Sequence, residues 1–349
     1  MGNAATPLDL YDTTLRDGAQ GEGISFSVAD KVKIAQRLDE LGVTHVEGGW
    51  PGATPKDTIF FAEMLRAPLR NAILTAFGAT RRPSVAAADD EQLRLLLAAK
   101  TSIITLVGKS WDRQVTDVLR TTTDENLKMV ADTVAACRAD GREVFFDAEH
   151  FFDGYESDAD YAKRVLEAAA TAGATRLVLC DTNGGTLPDR LETIVREMVA
   201  TFGDVIGIHC HNDAGVATAN SLAAIRTGAV HVQGCINGYG ERTGNANLCT
   251  LIPNLQLKMG RPLLSDEKLK SLTETSRYVA EIANMAPPTN APYVGDSAFT
   301  HKGGQHVDAM MKAAYAYQHV DPDLVGNRRR VIVSDQAGKS VVTLSLIHI

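Results

Sequence analysis

The sequence predicts an α/β fold: a (β/α)8 barrel of the TIM type followed by a small, mainly helical subdomain. Three observations carry this. Short apolar runs alternate with amphipathic stretches eight times, and strand–helix units in series build a parallel sheet. Eight such units, in about 250 residues, are enough to close a barrel. Polar residues gather at the C-terminal end of nearly every run, where barrels of this type carry their active sites. Packing does not readily explain that concentration. An open doubly wound sheet is the alternative topology.

The strand candidates are 8–15, 43–50, 72–78, 102–109, 143–150, 176–183, 205–212 and 230–237, each short and apolar. Between the first two, Val28, Val32, Ile34, Ala35, Leu38 and Leu41 repeat with helical spacing over 28–41. Helical patterns also cover 124–139, with Thr123 or Asp124 as the N-cap, and 157–172. Gly42, Gly141, Gly173 and Gly228 follow helical stretches, where a terminating glycine is expected. The alternation stops near residue 257. A helix over 265–286 then runs up to Pro287-Pro288, a loop spans 289–302, and a further helix covers about 305–318. The expected division is a catalytic barrel over 1–260 and a partial helical subdomain over 261–349.

Composition narrows the function. The chain has 349 residues, 44% of them hydrophobic, and a net charge of -8. An acidic balance argues against nucleic acid as a main partner. No uninterrupted apolar run approaches the roughly 18 residues of a membrane span, so no membrane partner is expected. Five cysteines, odd in number and without a C-x-x-C spacing, suit a reducing compartment rather than a disulfide framework. The expected location is the cytoplasm.

Chemistry concentrates in three polar runs. His209 and His211 are two apart on a strand, so their imidazoles share a face and form a ready pair of metal ligands. The alternative is two histidines satisfied by hydrogen bonds at a strand end. Asp17, after the first strand, is the candidate third ligand if the fold closes the distance, and Arg16 beside it becomes an electrophile. A two-histidine, one-carboxylate set with open positions suits a divalent ion that also takes substrate oxygens; Mn2+, Mg2+ and Zn2+ all remain possible. The run Asn237 to Asn245, with Gly238, Gly240 and Gly244, lacks both the dinucleotide spacing and the P-loop lysine. It can cradle a phosphate or carboxylate, or be a tight turn. Glu149 could serve as a base or as a hydrogen-bonding partner of substrate. Thr182 could offer a hydroxyl to a carboxylate, while Asn183-Gly184 makes a turn. His301, His306 and Asp308 look by composition like surface residues.

At these residues the chain resembles the metal-dependent acyl-CoA condensing enzymes that include isopropylmalate, homocitrate and citramalate synthases. Leu15, Arg16, Asp17, Gly18, Gln20 and Lys31 match one family signature. Ile206, His209, His211, Asn212, Asp213, Gly215, Ala217 and Ala219 match the other. The stretches Glu47–Gly52 and Asp147–Gly154 resemble the citramalate branch most. The resemblance implies a metal held by Asp17, His209 and His211 with Asn245 nearby, and a 2-oxo acid gripped by the metal and Arg16. It implies Glu149 at the reacting groups, Thr182 on the substrate carboxylate, and substrate contacts from Asn237, Gly238 and Gly240. His301 and Asp308 would be catalytic, reaching an active site that in this family is often the partner subunit's, in a homodimer. The substrates implied are acetyl-CoA and a small 2-oxo acid, pyruvate for the citramalate branch.

A lyase or aldolase of the same superfamily is less expected, because its loop cysteine has no counterpart here beyond Cys249. A non-catalytic metal-binding barrel would leave Arg16, Glu149 and Thr182 without a purpose. Family synthases continue into a C-terminal regulatory domain, for which no room is left before Ile349. The expectation is that this domain is absent, that Ser345 to Ile349 is a read-through tail, with a short terminal strand as the alternative, and that the natural protein is longer.

Overall fold

A computed structural model describes residues 7–332. Eight strands close a barrel in sequence order: β1 (Asp9–Asp12), β2 (His45–Glu47), β3 (Ile73–Ala79), β4 (Ile103–Lys109), β5 (Glu143–Glu149), β6 (Arg176–Asp181), β7 (Ile206–Cys210) and β8 (His231–Gly234). Every neighbouring pair is parallel. β1 meets β8 with Asp9 opposite His231 and Tyr11 opposite Gln233. The sheet is therefore closed, as the alternation implies, and not an open doubly wound one.

Helices α1 (Val28–Leu41), α2 (Pro55–Arg66), α3 (Glu91–Ala98), α4 (Thr123–Ala139), α5 (Phe151–Ser157), α6 (Ala159–Ala172), α7 (Pro188–Phe202) and α8 (Ala217–Thr227) connect the strands. Their ends follow local chemistry. Ser27 and Asp30 form a reciprocal capping box at the start of α1, and Gly42 ends it with φ of 100°. The N-cap of α4 is Thr122, whose hydroxyl accepts from Glu125 N–H. The expected Thr123 or Asp124 lies one or two residues inside, because Thr122 alone keeps extended backbone there.

Several strands are shorter than their apolar runs. Residue 150 cannot extend β5: His150 has left-handed backbone, φ 58°, and turns the chain into α5. The barrel interior carries polar groups as well as apolar ones. Tyr11 Oη bonds Glu47 Oε1 at 2.7 Å and the hydroxyls of Thr75 and Thr105 at 2.8 and 2.6 Å, tying β1 to β4 across the axis.

The chain forms two compact units that divide after Leu251, within α9 (Leu248–Pro253). In the second, the expected helix over 265–286 is two helices, α10 (Asp266–Lys270) and α11 (Leu272–Ile282). Ser271 Oγ bonds the Lys268 carbonyl at 2.7 Å, so a side chain competes with the backbone at the junction. The second helix stops before 286 because Asn284 adopts φ of 53°. Strands β9 (Thr300–His301) and β10 (Arg330–Val331) pair in parallel. The expected helix over 305–318 is α12 (Gly304–Lys312), followed by a separate 3-10 turn over Ala314–Tyr317. The expected tail, Ser345 to Ile349, lies outside the described residues.

Candidate active site and metal centre

The C-terminal ends of the strands surround a cavity of about 220 Å3. Arg16, Asp17, Glu149, Thr182, His209 and His211 all line it, so six sequence-predicted residues are brought together from the ends of β1, β5, β6 and β7. Asp17 comes from the turn after β1. His209 is the fourth residue of β7 and His211 follows its end, so strand alternation turns both imidazoles inward.

One ligating atom from each of Asp17, His209 and His211 lies within 4.8 Å of the others, and all three residues are buried. Asp17 Oδ2 is 3.5 Å from His209 Nε2 and 3.8 Å from His211 Nε2. Burial would raise the Asp17 carboxyl, but the Arg16 guanidinium and the two histidines outweigh it and hold it at about 2. Burial pushes His209 down to about 3 and lowers His211 as well. At neutral pH the cluster therefore offers one carboxylate and two neutral imidazoles. That is a donor set positioned to coordinate a divalent metal ion.

Asn245 reaches this cluster from the glycine-rich loop. Its Nδ2 donates to Asp17 Oδ1 at 2.9 Å and to the Tyr239 carbonyl at 3.0 Å. Its Oδ1 is buried without a hydrogen-bond partner, the state of an oxygen awaiting a cation or a water. The glycines make the approach possible. Gly238 and Gly240 have φ of 69° and 149°, and the chain folds back so that Asn245 N–H bonds the Gly238 carbonyl at 3.1 Å. From this loop Glu241 and Arg242 line the cavity; Asn237, Gly238 and Gly240 do not. These three residues form a tight turn that delivers Asn245.

Arg16 is held on three sides. Its Nε lies 2.5 Å from Glu47 Oε2, its Nη1 3.1 Å from Asp17 Oδ2, and its Cζ 3.8 Å above the Phe77 ring. Burial raises the Glu47 carboxyl in spite of Arg16. The two acids in turn keep Arg16 firmly charged although burial opposes it. Glu149 pairs with Lys109. Thr182 Oγ1 accepts from His150 N–H at 2.8 Å, which leaves its own proton free to donate. Lys31 of the first signature lies outside the cavity, buried in an ion pair with Asp57.

Sequence reasoning missed the groups that hold this shell. Trp50, Phe77 and Val107 form an apolar wall beside Arg16. Asp147, pushed up to about 8 chiefly by burial, lines the floor. Gln233 links it to His209, with Nε2 3.0 Å from Asp147 Oδ1 and Oε1 2.8 Å from His209 Nδ1. The only signal in the sequence was a glutamine inside an apolar strand. Arg242, with φ of 56°, bonds Asp213 through Nε and Nη2 and the Thr182 carbonyl through Nη2 at 2.7 Å. His301 and Asp308 belong to the second unit, on β9 and α12, where Lys312 Nζ lies 2.7 Å from Asp308.

Comparison with known proteins agrees with this geometry. Residues 7–279 match the family described as HMGL-like, and 293–346 match the homocitrate synthase post-HMGL domain-like family. The (R)-citramalate synthase of Aquifex aeolicus is 54% identical over 340 residues, 97% of this chain and 64% of that protein. The chain thus spans less than two thirds of that relative's length. A probable 2-isopropylmalate synthase of Ignicoccus hospitalis is 32% identical over 349 residues, 99% of this chain and 84% of that protein. Among solved structures, the hydroxymethylglutaryl-CoA lyase of Pseudomonas aeruginosa aligns with a TM-score of 0.68 at 16% identity. It covers 82% of this chain and 96% of the lyase, and speaks for the fold alone.

Proposed function

The chain belongs to the HMGL-like family, grouping with its citramalate synthases, and from that premise we propose that it condenses acetyl-CoA with a small 2-oxo acid. Pyruvate is the proposed acid and citramalate the product, within isoleucine biosynthesis. The observation that carries the reading is the Asp17–His209–His211 cluster facing a small cavity beside the clamped Arg16.

In this reading Asp17, His209 and His211 hold a divalent ion, and Asn245 offers its unpartnered Oδ1. When bound there, the ion would supply Lewis acidity to the substrate's carbonyl group. Arg16, fixed by Glu47, directs its guanidinium at the oxygen that gains charge as the carbon–carbon bond forms. Thr182 donates a hydrogen bond from its hydroxyl to the substrate carboxylate. Glu149, which lines the cavity, is the residue proposed to orient the acetyl group or take its methyl proton. The resulting carbon nucleophile adds to the ketone carbon, the ketone oxygen takes up a proton, and one water then cleaves the thioester to release CoA. Trp50, Phe77 and Val107 limit the side chain the acid can bring. His301 and Asp308 are proposed to assist turnover and the assembly to be a homodimer; substitution and light scattering test the two.

The deciding experiment follows thiol release from acetyl-CoA across a panel of 2-oxo acids. Pyruvate should exceed 2-oxoisovalerate and 2-oxoglutarate in kcat/KM by at least roughly tenfold, the scale on which a pocket rejects added methylenes. A preference for 2-oxoisovalerate would move the chain to the isopropylmalate reaction. Metal binding without any thiol release would leave only a binding protein.

A further inference from the structure

Gln233 is fully buried inside the barrel on β8, and both ends of its amide are engaged. Oε1 faces His209 Nδ1 at 2.8 Å, while Nε2 faces Asp147 Oδ1 at 3.0 Å and His231 Nε2 at 3.3 Å. An amide oxygen only accepts and an amide nitrogen only donates. With this orientation His209 must carry its proton on Nδ1, and Asp147 Oδ1 and His231 Nε2 both accept. The lone pair of His209 is then on Nε2, the nitrogen that faces Asp17 Oδ2 at 3.5 Å. His211 has no such support, since its Nδ1 is buried without a partner. The two histidines are therefore not equivalent.

We infer that Gln233 is a positioning residue for the metal centre. It fixes the tautomer and ring orientation of His209, and is itself locked by Asp147 and His231. The inference rests on the metal-centre reading above. An outer partner that orients a ligating histidine governs affinity, and its loss typically costs about 10- to 100-fold in metal binding. The opposite amide orientation would put a proton on His231 Nε2. It would also place the His209 proton on Nε2, facing Asp17, where no lone pair would be left for an ion.

The test uses 15N-histidine-labelled full chain, free of metal at neutral pH, with long-range 1H–15N correlations assigned through His209→Ala. Wild type should show His209 protonated on Nδ1. Gln233→Leu should lose that preference and bind Mn2+ roughly 10- to 100-fold more weakly by calorimetry, with its melting transition retained. Gln233→Glu keeps an acceptor toward Nδ1 and, with Asp147 turning its carboxyl proton to the second Glu oxygen, should restore the tautomer and most of the affinity. An Nε2–H signal in the wild type would overturn the inference, as would an unchanged tautomer or unchanged affinity in Gln233→Leu. If Gln233→Leu fails to fold, the wild-type tautomer and Gln233→Glu still decide it. Failure of the wild type to bind Mn2+ would count against the metal centre itself. The tautomer would still judge whether Gln233 controls His209.

Discussion

The two ends of the barrel contain nearly the same side chains. At the mouth stand Asp17, His209, His211 and Arg16; at the start of the strands stand Asp9, His231, His45 and Arg176. Asp9 lies 2.7 Å from Arg176 Nε and 3.6 Å from His231 Nδ1. Burial lowers His45 to about 4 and depresses His231 too. Burial would raise Asp9, yet His231 and Arg176 bring it to about 2. What differs is convergence. The lower histidines have ring centroids 6.4 Å apart and pack against Tyr11 and Phe145, His231 at 5.0 and 5.2 Å. The upper pair share a face, and their Nε2 atoms turn to one carboxylate oxygen at the edge of a cavity. Composition makes a charged cluster; lone pairs aimed at shared empty space make a ligand set.

Breaking the upper end should have the largest effect. His209→Ala or His211→Ala should abolish turnover and sharply weaken Mn2+ binding in calorimetry while the barrel stays folded by circular dichroism. His45→Phe, at the lower end, should leave Mn2+ affinity unchanged. Equal losses at both ends would erase the distinction.

The arginines give the next contrast. Glu47 is fully buried, so Arg16→Met strands a charge in the barrel and should cost about 3–5 kcal/mol in denaturant unfolding. Asp9 has a side chain 17% exposed and keeps His231, so Arg176→Met should cost only about 1 kcal/mol. Similar costs would mean that Glu47 finds another partner.

The last contrast is in pH. The folded protein holds His45 at about 4, against an ordinary value near 6.5, so the unfolded chain takes the proton first. Stability should therefore fall as pH drops from about 6.5 to about 4. His45→Phe should reduce that slope in denaturant midpoints and leave the share that His209, held at about 3, contributes over the same range. Loss attributable to Asp9 begins lower, as pH falls through about 4 toward 2. A mutant slope identical to wild type would show that His45 is charged in the fold.

This contrast also explains what the sequence could reveal. The barrel was legible because strand and helix periods are local, and His209-x-His211 was legible because strand alternation is local. Asp17 could be nominated from its place after β1, but the 3.5 Å approach to His209 needed the closed sheet. Gln233 was invisible because its two partners on other strands, Asp147 and His209, lie 86 and 24 residues away. Asn237, Gly238 and Gly240 kept two readings, a ligand cradle and a tight turn, because a glycine-rich run reads alike whether it touches a ligand or turns the chain. The helix break at Ser271 went unseen because an apolar stripe continues through it. A single serine hydroxyl decided it.

Arg242 ties three separate loops to one side chain: its own after β8, Asp213 after β7 and the Thr182 carbonyl after β6. Backbone bonds reinforce the tie, from Asn212 N–H to the Gly244 carbonyl and from Ala214 N–H to the Gly184 carbonyl. One side of the rim is therefore a single cooperative unit, in which no loop can lift without breaking contacts made by the other two. In hydrogen exchange, the amides of Asn212, Ala214 and Asn245 should open together at one rate, so that access to the cavity from this side is a two-state event.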